Sequence, residues 1–262
     1  MLAILTTGHI TITEHSALRR GPPTIPPSSP APLSSYVSSV WSPDNGSLYV
    51  ATKDSVTRYD ASGTFIKSLW PLPDSGHIPL DDIGSLAVKD KGTLILSMGS
   101  AVHIIEHSSS ASSQTKIVQT LPTHPEPDPV HALSLSHDGT LLIVASASAV
   151  TVHNLALSTQ TTLRGLPGPV AVCTFHVHSR VRLLLGISHK LVIYDITRPS
   201  GPSRIASIGD GTAGDVVAVA CSPYSKTLLA VACSGGYVAL VDLDKELRYM
   251  SQPCHYCHEV CS

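Results

Sequence analysis

The sequence predicts an all-β chain assembled from one repeated unit of short strands. Three observations predict it. Only 14% of the 262 residues are Asp, Glu, Lys or Arg, against roughly 25% in an average soluble domain. Gly and Pro are plentiful, at 18 and 20, which excludes a coiled coil and a charged disordered chain. The apolar residues fall into runs of about five, each closed by a turn signal, and the runs recur at a nearly constant spacing. A chain of this length can hold one large all-β domain or two smaller ones.

The runs come in ordered sets. First runs begin at Val37, Ile83, Val130, Val170 and Val216 and end at turn signals such as Trp41-Ser-Pro-Asp44, His137-Asp-Gly139 and Cys221-Ser-Pro223. Second runs begin at Leu48, Leu94, Leu141, Leu183 and Leu228. Third runs close on Asp60, Glu106, Asn154, Asp195 and Asp242, which lie 46, 48, 41 and 47 residues apart. Outer strands are expected over 65–70, 116–121, 160–163 and 204–208. Residues 1–15 hold two further runs, read as the second and third strands of another unit. Runs such as Leu183-Leu-Leu-Gly-Ile187 are apolar on both faces, as expected where each sheet is sandwiched between neighbours.

A period of 40 to 45 residues with several short strands per unit is the signature of a β-propeller of the WD40 type. A two-sheet sandwich would also show short strands at regular spacing, but it does not predict a recurring polar residue at the end of the third run. The residues resemble the WD-repeat family. Trp41-Ser-Pro-Asp44 and Cys221-Ser-Pro223 are similar to the turn between the first two strands of its blades. Val192-Ile-Tyr-Asp-Ile196 and Ala239-Leu-Val-Asp-Leu243 are similar to its third strand, with Tyr194 or Val241 where the family has Trp, and Gly76-His77 matches the pair that opens a blade. The expected organisation is a partial N-terminal blade (1–20), a Pro/Ser-rich loop (21–35), and WD40-like repeats over 36–250 in five blades (36–74, 83–122, 129–165, 169–209 and 215–250). A Cys/His-containing tail (251–262), read as disordered, follows. Five blades and a fragment imply an incomplete propeller, truncated from a longer parent.

Candidate chemistry is sparse. Gly209-Asp-Gly-Thr-Ala-Gly214 fits the dinucleotide fingerprint, but that motif needs a helix after it, and a β-rich run opens at Val216. In the tail, Cys254, Cys257, His258 and Cys261 have the donor types of a zinc site, though with no flanking structure to order them. His176 and His178 stand two apart and are expected as a solvated pair at a strand end. Asp60, Glu106, Asn154, Asp195 and Asp242 recur once per unit, which points to a structural role: a turn-facing side chain that accepts backbone N–H bonds. Arg20, Pro23 and Pro26 satisfy the spacing of an SH3-type ligand in a segment otherwise read as a linker. Cys173, Cys221 and Cys233 lie in apolar runs, where Cys acts as a small hydrophobe.

A net charge of −2 gives no footprint for nucleic acid or an anionic membrane. The most apolar stretch, from Leu141, is broken by Ser146, Ser148, Thr151, His153 and Asn154, so no membrane span is expected. The N-terminus lacks a basic flank for export, and the expected location is cytoplasmic. The family resemblance implies a non-catalytic scaffold with no cofactor and with other proteins as partners. An enzyme-type propeller with a site at the central channel is the alternative from another class. Residues 191–246 also resemble the WD-repeat proteins that recruit γ-tubulin complexes to spindle poles. That likeness implies a targeting module for microtubule nucleation, with γ-tubulin complex components as partners and a cytoskeletal or spindle-pole location, although the family's separate γ-tubulin-binding region has no counterpart in the sequence.

Overall fold

The computed structural model describes residues 2–6, 9–13, 36–72, 82–108, 115–121, 128–198, 200–207, 211–244 and 248–250. The Pro/Ser-rich loop, Gly76-His77 and the Cys/His tail lie outside them. Every regular element among the described residues is a strand. The chain divides into two compact units, Met1–Val130 and His131–Ser262.

A two-stranded hairpin comes first, β1 (Leu2–Thr6) with β2 (His9–Thr13), in the register Leu2 opposite Thr13. Five four-stranded antiparallel sheets follow, each built from consecutive strands. Sheet I contains β3 (Tyr36–Trp41), β4 (Ser47–Thr52), β5 (Val56–Asp60) and β6 (Phe65–Trp70), and sheet II contains β7 (Ile83–Asp90), β8 (Thr93–Met98), β9 (Ala101–Glu106) and β10 (Lys116–Leu121). Sheet III contains β11 (Val130–Leu135), β12 (Leu141–Ser146), β13 (Val150–Asn154) and β14 (Thr159–Thr162). Sheet IV contains β15 (Val172–Phe175), β16 (Arg182–Ile187), β17 (Lys190–Asp195) and β18 (Arg204–Ser207), and sheet V contains β19 (Val216–Cys221), β20 (Leu228–Cys233), β21 (Val238–Asp242) and β22 (Arg248–Met250). The outer strands of four sheets fall within a residue of the positions expected from sequence. No apolar run marks the fifth, β22.

One register serves all five sheets. The first residue of the second strand pairs with the polar last residue of the third: Ser47 with Asp60, Thr93 with Glu106, Leu141 with Asn154, Arg182 with Asp195, and Leu228 with Asp242. Positions can therefore be equated from sheet to sheet, and side chains at alternate positions share a face. In the first unit, Tyr49, Ala51 and Val56 on one face of sheet I pack with Leu94, Leu96, Met98 and Ile105 of sheet II. In the second, Leu141, Ile143 and Ala145 of sheet III pack with Leu183, Leu185, Ile187, Val192 and Tyr194 of sheet IV. The opposite face of sheet IV, with Leu184, Leu191 and Ile193, packs with Leu229, Val231, Cys233, Ala239 and Val241 of sheet V.

This stacking explains the continuous apolar runs. All six residues of β4 and of β12 are buried, which an isolated sheet with one wet face would not allow. Sheets IV and V approach closely enough to require glycine: a Cβ on Gly186 would lie 2.7 Å from Val216 Cγ1. The last sheet is different. Along β20 buried and half-buried residues alternate, and the face away from sheet IV carries Val238 at 40% and Leu240 at 42% exposure.

Candidate functional site

The polar residues at the ends of the third strands organise the turns that follow. Asp60 Oδ1 accepts N–H bonds from Ser62 and Thr64, both 2.9 Å, and the Ser62 hydroxyl at 2.6 Å. Asn154 Oδ1 accepts the N–H groups of Ala156 at 3.1 Å and Leu157 at 3.0 Å. Asp195 Oδ1 accepts the N–H of Thr197 at 2.9 Å and its hydroxyl at 2.6 Å, and Asp242 Oδ1 accepts the N–H of Asp244 at 3.0 Å. The Thr197 bonds hold Asp195 below the usual carboxylate range; for Asp60 burial is the largest single effect and pushes the other way, but the bonds from Ser62, Thr64 and Gly63 together outweigh it and hold Asp60 low as well. Glu106 departs from the expectation. Its longer side chain forms an ion pair with Lys116 across to β10 at 3.3 Å, both partners exposed.

The turns joining first and second strands form a second set. Ser42 and Ser136 are buried, and each bonds backbone to backbone across the turn: Ser42 N to Ser47 O at 2.8 Å and Ser136 N to Leu141 O at 2.9 Å. Each hydroxyl also accepts an N–H at 2.9 Å, from Ser47 and Leu141 respectively. Ser222 closes its turn on Leu228 O at 3.0 Å and accepts the N–H groups of Tyr224 and Ser225. In sheet IV the same place is taken by His176. Its N–H donates to Arg182 O at 2.9 Å, and its Nδ1 accepts the N–H of His178 at 3.2 Å.

The expected solvated pair is thus corrected. His176 is buried in a turn because it replaces the turn serine, and only His178 is exposed. Burial lowers the pKa of His176, with smaller contributions from Arg182 and His178, while the Lys226 backbone acts in the other direction. The missed signal was positional, since His176 follows its apolar run where Ser136 and Ser222 follow theirs.

The β15–β16 turn also braces its neighbours in the second unit. Arg180 Nε reaches Asp138 Oδ2 at 2.9 Å, and His178 Nε2 meets Ser222 O at 3.0 Å. Asp138 is held down to about 2 by the hydroxyls of Ser136 and Thr140. Between the three turns the ends of β11, β15 and β19 leave an open groove of about 350 Å³, lined by Leu135, Phe175, Val219, Ala220 and Cys221 together with His137, Thr174, His176 and Val177. Val177, 41% exposed, stands at its edge, and Tyr224, 96% exposed, projects from the β19–β20 turn.

In the first unit polar side chains also bridge sheets I and II. Tyr49 Oη meets His107 Nε2 at 3.3 Å, Arg58 lies 5.9 Å from the centroid of the Tyr49 ring, and Lys67 Nζ donates to Ser108 O at 3.0 Å. Burial, with Arg58 and Lys67 adding to it, pushes the pKa of His107 down to about 4.

The remaining sequence candidates do not assemble into a site. Gly211 and Gly214 sit in a loop with positive φ, and strand β19 rather than a helix follows. Among the described residues no three His, Cys, Asp or Glu side chains come together as a metal site, and no helix is long and apolar enough to cross a membrane. Cys254, Cys257, His258 and Cys261, like Arg20, Pro23 and Pro26, lie outside the described residues. Cys173 and Cys233 are buried and Cys221 half-buried, and desolvation raises all three thiols, to about 12 for Cys173.

No protein-family model matches the chain, and no curated protein matches it. Solved structures do. One is a chain from a crystal structure of the mitotic checkpoint complex, similar over 82% of this chain with a TM-score of 0.64 and 22% sequence identity. The match spans about 63% of that chain's own length. At this identity the likeness shows the fold alone, and with the five four-stranded sheets it establishes an all-β propeller of the WD40 type.

Proposed function

We propose that this chain is a non-catalytic scaffold that binds other proteins through the turn end of its second unit and acts in the cytoplasm. The WD40-type fold suggests an interaction scaffold with protein partners, and such propellers are typically non-catalytic. The observation that carries the reading is the groove at the ends of β11, β15 and β19, with the exposed Val177 in its lining and the exposed Tyr224 on the β19–β20 turn of the same end. Apolar and aromatic side chains standing free beside a concavity are the usual anchors of protein contacts. The small net charge of −2 favours protein over nucleic acid or an anionic membrane as the partner.

Crosslinking mass spectrometry on the tagged chain in cells tests this. A discrete set of proteins crosslinked at Lys226 and weakened by Tyr224→Ala is the expected result. Crosslinks spread evenly over all lysines, or a set indifferent to Tyr224→Ala, would remove the assignment to this face.

A narrower reading is a targeting module for γ-tubulin complexes at the spindle pole, acting in microtubule nucleation. The resemblance of residues 191–246 to that family supports it. γ-Tubulin complex subunits in the crosslinked set and tagged chain at spindle poles are its expected outcomes, and the absence of both sinks it.

A further inference from the structure

We infer that the groove takes an acidic segment of a partner protein, seated by one apolar side chain. The inference rests on the scaffold reading and names the chemistry of the partner at the same face. Both halves of that chemistry are visible. The wall is apolar, formed by Leu135, Phe175, Val219 and Ala220, and the volume of about 350 Å³ suits one large side chain with its backbone rather than a whole folded surface. The rim is basic. Arg180 and Lys226 are exposed on two of the turns and Arg182 at the start of β16, beside the exposed imidazoles of His137 and His178; Arg180 is paired with Asp138, and Lys226 has no ion pair among the described residues.

The carboxylates of this end are already engaged. Asp138 is held by Arg180, Ser136 and Thr140. Asp195 and Asp242 lie at the ends of third strands, two strands outward from the groove, and accept the N–H groups of their own turns. Lys226 therefore offers a positive charge that no carboxylate among the described residues pairs, so an incoming acidic chain gains a charge-assisted hydrogen bond there without displacing an internal partner. At the floor, the Nδ1 of His176 accepts an N–H, which places the proton on Nε2. Nε2 makes no hydrogen bond of good geometry within the protein.

The test is a phage-displayed library of random nonapeptides panned against the purified chain, followed by anisotropy titration of the enriched sequences. Enriched peptides should carry several Asp or Glu around one Leu, Phe or Met and should bind at least tenfold more weakly at 500 mM than at 50 mM salt. Lys226→Glu should cut their binding about tenfold. Ala220→Phe, which fills the seat, should abolish it. Both variants alter exposed positions, and unchanged thermal melts will show that they fold. Neutral or basic enriched peptides, the same peptides on Lys226→Glu, or no enrichment at all would overturn the inference. Cellular partners that still crosslink near Lys226 and respond to Tyr224→Ala, but not to Lys226→Glu or Ala220→Phe, would leave the scaffold standing and remove only the acidic-peptide chemistry.

Discussion

Sheets IV and V present the same face in opposite circumstances. In sheet IV, Leu184, Leu191 and Ile193 are buried against the neighbouring sheet. The register makes Ala230, Val238 and Leu240 their equivalents in sheet V, and these are exposed or half-buried. Both sets are apolar. Strand sequence alone therefore does not decide whether a face is wet, because the neighbour decides it. A solvent-facing antiparallel sheet would ordinarily carry polar residues on that side, so sheet V is composed like an inner sheet while sitting as an outer one.

The sharpest way to break this comparison is a charge on each face. Leu184→Asp buries an unpaired carboxylate between two sheets and is expected to cost about 4 kcal/mol or more, enough to unfold the second unit. Leu240→Asp, at the register position next to that of Leu184, should change urea-unfolding stability by less than about 0.5 kcal/mol. Equal losses would show that the sheet V face is covered in solution. Gly186→Val probes how tight the covered interface is. Its side chain collides with Val216, and overpacking of this kind costs about 1–3 kcal/mol. Ala232→Val, the equivalent change on the open face, should be nearly neutral.

The interface between sheets I and II adds a polar case. His107 titrates near 4 in the folded chain but near 6.5 when unfolded. Below 6.5 the unfolded chain binds the proton first, so the stability of this interface is full above that pH and is lost as pH falls toward 4, by no more than about 3 kcal/mol. His107→Gln should flatten the unfolding curve over that window, whereas the apolar interface of sheets IV and V should show no such slope. The smallest effects concern the turns. Asp195→Ala should cost about 1 kcal/mol through lost bonds to Thr197, and Glu106→Ala only a few tenths, since its partner is an exposed lysine.

The sequence made the strands legible because their spacing is fixed by a physical constraint. Each unit must supply a face to the next, so apolar runs and a polar strand end recur in register, and Asp60, Asn154, Asp195 and Asp242 could be located from spacing. Glu106 shows the limit, for one added methylene lets the carboxylate reach Lys116 instead of its own turn. The groove was not legible. Leu135, Phe175 and Val219 stand in the apolar first runs like their neighbours, and only the folded arrangement of three strand ends makes them a wall. His176 was misread because composition marks a histidine as polar and solvated, while its place in the repeat assigns it a serine's work.

That replacement has a chemical consequence. A serine hydroxyl keeps its acceptor lone pairs at every pH a protein survives, and it can rotate to suit whichever backbone group is near. The Nδ1 of His176 has one lone pair, in one direction, and loses it when the ring is protonated. The serine bond that closes three turns of this architecture is thus indifferent to acid. The fourth, which also braces the turns on either side of it through Arg180 and His178, is fastened by a bond that acid can undo.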